Sequence, residues 1–91
     1  MAIRPSNGTD AQQNGERPLP NTVSLGLMYA KGRGVPQDLV KAHMWYNISG
    51  SNGFASAREN RHTIAKILTA NQLETAFRLA RRCVVDNYKD C

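Results

Sequence analysis

Leu25-Gly26-Leu27-Met28-Tyr29-Ala30-Lys31-Gly32-Arg33-Gly34-Val35-Pro36-Gln37-Asp38 is the stretch that decides the fold. Leu25, Met28 and Tyr29 stand at i, i+3 and i+4, the spacing of one helical face. Gly32 follows directly and suits the left-handed residue that ends a helix. Gly34 adds a second permissive point. Pro36, with no N–H and a fixed φ, blocks continuation of the helix. Asp38 then offers a carboxylate to the unpaired amides of a new first turn. A helix, a glycine turn and a second helix are therefore written into this one segment.

Working outward, the first helix is expected from about residue 21 to 31 and the second from about 39 to 50. Leu39, Ala42, Trp45, Tyr46 and Ser49 form the second helix's buried stripe, and Gly50 with Asn52-Gly53 ends it. A third helix is expected from about 54 to 68, with Phe54, Ala57, Arg61, Ile64, Ala65 and Leu68 on one face and Arg61 as the misfit. A fourth runs from about 70 to 87. Thr69 and Gln72 make a capping box before it, and Leu73, Ala76, Phe77, Ala80, Val84 and Asn87 keep helical spacing. No stretch alternates as a strand does. Four helices with short connections imply an all-α fold of stacked antiparallel hairpins.

Upstream, residues 1–20 hold Pro5, Gly8, Gly15, Pro18 and Pro20 among many polar residues, with no periodic apolar pattern. Such a segment buries too little to offset its ordering entropy, and a disordered tail is expected. The 91 residues then make one domain, residues 21–91. A core this small needs a staple, a partner or close helix packing. The net charge of +5 lies in that domain, since Arg4 and Arg17 balance Asp10 and Glu16. A basic surface favours acidic partners, anionic membranes or nucleic acid, although solubility alone accounts for a charge of this size. No apolar run approaches membrane-spanning length, and the first residues have no apolar stretch of the kind a secretory signal carries.

The pattern Leu25-Gly26, Tyr29, Gly32, Gly34-Val35, Asp38, Ala42, Trp45, Gly53 and Ala57 resembles a Sel1-like repeat, a tetratricopeptide-related αα-hairpin, over residues 21–57. The resemblance implies close helix approach at Gly26 and Ala42, filling between hairpins by Tyr29 and Trp45, and a tight turn at Gly32, Gly34 and Val35. This chain departs from the pattern at Asn21 and at Ser49-Gly50, where the family usually has alanines. Shifting by one repeat puts Leu25, Gly26 and Tyr29 on Arg61, His62 and Ala65. Residues 54–88 are therefore expected to be a C-terminal capping helix pair. The last stretch also resembles segments that follow such repeats in bacterial proteins. The family consists mostly of adaptors, which implies a non-catalytic protein-interaction module with no cofactor or metal. Some members are described as acting on β-lactams. That activity is not carried over, because Ser-x-x-Lys is absent and its nearest imitation, Thr63-Ile64-Ala65-Lys66, lies on a polar helix face.

Cys83 and Cys91 are the only cysteines. On one continuous helix they would lie about 12 Å apart, too far for a bridge. A helix ending near Asn87 would let the tail fold back and close a disulfide; two free thiols are the other reading. Oxidation would indicate an exported or periplasmic setting, free thiols a cytoplasmic one. His43 and His62 lack further ligands at metal spacing and are expected to be surface or inter-helix residues. Arg78, Arg81 and Arg82, with Arg58 and Arg61, would form either a solvated basic face or a polyanion patch. Gly32–Pro36 lacks the Gly-Lys-Ser/Thr ending of a phosphate loop. Asn7-Gly8-Thr9 and Asn47-Ile48-Ser49 match the glycosylation sequon by chance.

The partner surface expected by analogy with solenoids holds Leu27, Met28, Lys31 and Arg58. One repeat plus a cap leaves the side of the first helix open, so a second copy is a candidate partner. The alternative function is a small basic protein binding nucleic acid or another polyanion through the third and fourth helices.

Overall fold

The structure, a computed structural model, describes residues 22–89 and residue 91. The tail expected at residues 1–20 and the first sequon lie outside them. The described secondary structure is helical throughout: α1 (Thr22–Lys31), α2 (Leu39–Ser51), α3 (Ala55–Ala65) and α4 (Ala70–Val85). α1 and α3 each pair with α2, and α4 packs on α2 as well, not on its neighbour in sequence α3.

The α1–α2 turn forms as the glycines require. Gly32 takes φ +70°, and the Arg33 amide donates 2.9 Å back to the Met28 carbonyl. This is the left-handed cap that satisfies end carbonyls, and a side chain at Gly32 would be strained in it. The Gln37 amide nitrogen then donates to the Ala30 carbonyl. Asp38 starts α2, accepting from the Lys41 amide at 3.1 Å.

Helix α2 is buried on nearly every side, not along one stripe. Besides Ala42, Trp45, Tyr46 and Ser49, it buries His43, Met44, Ile48 and Gly50. Three helices surround it, so each face meets a neighbour. On one side Met44, Trp45 and Ile48 join Ala80 and Cys83 of α4, with Leu25 and Tyr29 of α1 against them. On another, Ala42 and Tyr46 meet Ala57 and Ile64 of α3, with Val23, Ala30, Phe54 and Leu68 alongside. Tyr29 touches both clusters.

The residues that depart from the repeat pattern have local jobs. Ser49 Oγ donates to Thr22 Oγ1 in a buried hydrogen bond that pins the start of α1 to the end of α2. Gly50 lies beneath the Arg58 stem, whose Cγ would come within 2.9 Å of an added Cβ.

The fourth helix corrects two expectations. Its stripe was expected to include Phe77, Val84 and Asn87, but all three are exposed, and Cys83 takes the core position instead. The helix also stops at Val85, because Asn87 and Tyr88 both turn left-handed, at φ +58° and +64°. The Tyr88 amide donates 2.7 Å to the Cys83 carbonyl, a cap of the same kind as at Gly32. The third helix likewise ends at Ala65, three residues before the expected Leu68, where the Ile67 and Leu68 amides both return to the Ile64 carbonyl.

Candidate functional site

The left-handed turn after α4 brings Cys91 back over the helix. Cys83 and Cys91 form a disulfide with their Cα atoms 5.7 Å apart. Of the two sequence readings, the bridge is the one the fold adopts.

The residues that carry the resemblance lie in packing contacts and turns. At Gly26 α1 lies close against α2: an added Cβ would lie 2.6 Å from the Tyr46 ring. Ala42 and Ala57 are fully buried between helices. Leu25, Tyr29 and Trp45 pack in the core, and Val35 is half-buried in the turn. Gly34 and Gly53 take positive φ in the two turns. Thr63, in the nearest imitation of a Ser-x-x-Lys motif, donates its hydroxyl to the Glu59 carbonyl one helical turn back.

Of the four expected partner-surface residues, Leu27, Met28 and Lys31 lie on α1 and Arg58 on α3. Leu27 is exposed at 36% and Lys31 is exposed, while Met28 is half-buried. Arg58 donates its Nε to the Gly50 carbonyl at 3.1 Å. That places it beside the Thr22 end of α1, whereas Lys31 lies nine residues away, about 13 Å along the helix.

The arginines divide. Arg61, the misfit of the third helix, donates Nη1 to Asn47 Oδ1 at 2.8 Å. Arg82 faces Asp86 at 3.8 Å, an exposed pair that contributes little. Arg78 and Arg81 are exposed and make no hydrogen bond or ion pair among the described residues.

His43 is an inter-helix residue, 1% exposed, with its ring edge-on to Phe77 at 5.2 Å. Burial, assisted by the nearby Arg61 charge, lowers its pKa below the usual imidazole value. On the α3 side, burial raises the Tyr46 phenol and a hydrogen bond with Asn60 works against that. Neither group opens onto a cleft with a second titrating partner. Among the described residues no three His, Cys, Asp or Glu side chains gather as a metal site would need.

What does form is a groove between the C-terminal halves of α2 and α4, of about 430 Å³. Ile48 and Ala80 make its floor, Val84, Val85 and Tyr88 its apolar walls, and Asn47 and Arg81 its polar edges. Val84 is 48% and Val85 81% exposed. Sequence reasoning missed this site because it assigned Val84 to the core. The adjacent valines in the last turn of α4 were the available signal, since a helix cannot bury both on one face. A second hollow, of about 300 Å³, lies beside the disulfide, with Lys41, Arg82, Asp86 and Lys89 around it.

Comparison of the chain with protein-family models, with curated proteins and with solved structures yields no match.

Proposed function

We propose that this chain is a non-catalytic protein-interaction module of the Sel1-like repeat type. The observation that carries the reading is the open groove between α2 and α4, whose valine walls stay exposed. Apolar surface rimmed by polar groups is what interaction sites present. The repeat pattern across α1 and α2 supports the reading from the sequence side. So does the surrounded α2, a rigid support for surface residues.

The test is capture of partners by the tagged protein from its native lysate, with and without nuclease, read by mass spectrometry. A specific protein that survives nuclease supports the module. Recovery that vanishes with nuclease favours the polyanion reading, for which Arg78 and Arg81 are the available cations. Steep loss of binding with salt would accompany that outcome.

Another copy is a second candidate partner, through the outer side of α1, where Leu27 is the exposed large apolar residue. The Cys83–Cys91 bridge supports work in an oxidising, exported or periplasmic, compartment. No described helix is long and apolar enough to cross a membrane.

A further inference from the structure

The groove has a chemistry that narrows its occupant. Its floor and walls are largely apolar, with Ser51 and Asn52 at the end of α2, and among the described residues no carboxylate lines it. Arg81 lines its α4 edge. On the α2 edge stands Asn47, whose side-chain oxygen is already taken by the Arg61 guanidinium. One exposed cation, Arg81, therefore flanks the trough, and the other side chains that line it are uncharged. The nearest acid on the last turn of α4, Asp86, lies with Arg82 at the other hollow.

We infer that this groove docks an acidic peptide segment with an apolar anchor, the anchor resting on Ile48, Val84 and Tyr88 and a carboxylate facing Arg81. The inference rests on the interaction-module reading and names the partner's chemistry. Charge complementarity selects the acid, because a guanidinium beside apolar surface binds a carboxylate more strongly than one in bulk water does. The walls select a polypeptide over a free anion. Val84 and Val85 extend apolar surface past the trough, and only an occupant with its own apolar side chains covers it. The groove offers one aromatic face, Tyr88, where a nucleic-acid strand would need several along its length.

The experiment is fluorescence anisotropy of the full, oxidised chain with labelled decapeptides. One carries a leucine pair flanked by glutamates. A second replaces the leucines with alanine, a third replaces the glutamates with lysine, and a labelled oligothymidine is run beside them. The acidic, leucine-bearing peptide should bind saturably and about tenfold more tightly than either control, as expected for loss of a charged hydrogen bond or a buried anchor. Arg81→Gln and Val84→Glu should each weaken it by a similar factor, and Arg78→Gln, away from the groove lining, should leave it unchanged. Both groove positions are exposed, so circular dichroism should report wild-type helicity; if Val84→Glu unfolds, Arg81→Gln alone decides.

No saturable binding of the acidic peptide, or binding indifferent to Arg81→Gln, overturns the proposal. So does oligothymidine binding more tightly than the peptide. A nuclease-resistant lysate partner still held by both groove variants would overturn the groove assignment and leave the interaction module standing. Capture lost with nuclease would instead overturn the module itself.

Discussion

Gly26 shows how much one missing methyl group matters in this protein. Its α-carbon faces the buried Tyr46 ring, and an added Cβ would lie 2.6 Å from it. Gly26→Ala should lower stability by about 2 kcal/mol by overpacking, read as a drop in the urea midpoint at unchanged m-value. A double-mutant cycle with Tyr46→Leu should recover part of the loss if the ring is the obstacle. His43 carries the second prediction. Its folded pKa lies below the unfolded value of 6.5, so above that pH both states are neutral and nothing is lost. As pH falls below 6.5 the unfolded chain takes up the proton first and stability declines. Thermal melts should show a lower Tm at pH 5 than at pH 7, and His43→Leu should flatten that slope. The groups packed on His43, Arg61 from α3 and Phe77 from α4, offer an imidazolium no carboxylate. The resemblance pointed to Gly26, and the sequence left His43 open between a surface and an inter-helix place, because a histidine on a helix reads the same whether two or three helices surround it.

Helix α4 is held at both ends by different means. Its start is the capping box, with Gln72 donating its amide to Thr69 Oγ1 and its side chain accepting from the Thr69 amide. Thr69→Ala should cost about 1 kcal/mol, measurable by denaturation. Its end is the Asn87–Tyr88 turn closed by the disulfide. Opening a loop this short should cost about 2 to 3 kcal/mol in the chain-entropy account. Cys91→Ser should show that loss and become insensitive to dithiothreitol, whereas the wild type should fall to the variant's Tm on reduction. The capping box was legible because it is local, set by residues three apart. The left-handed pair was not, because neither Asn87 nor Tyr88 is glycine and the return of Cys91 to Cys83 holds them there.

Taken as a molecule, the chain is organised around one helix. With α2 covered by α1, α3 and α4, the apolar surface left over falls at the edges, chiefly on the last turn of α4. The basic excess falls on α3 and α4 too, but Arg58, Arg61 and Arg82 each have an intramolecular partner. A uniform polyanion face is therefore not what these helices present. The expectation for residues 1–20 has its own check: a chain begun at Asn21 should melt at the same temperature as the full chain.

Local chemistry determined the elements. Spacing at Leu25, Met28 and Tyr29, the glycine turn, the Asp38 cap and the Thr69–Gln72 box each depend on a few neighbouring residues, and all are found where the sequence puts them. The groove is a different kind of object. Whether Val84 or Cys83 faces the core depends on how α4 lies across α2, and Arg81 and Asn47 line one groove only because those two helices pack. Helical spacing gives each residue an angle about its own axis and carries no information about where a second axis passes. That relation between axes is fixed by packing, and the candidate site exists only once it is fixed.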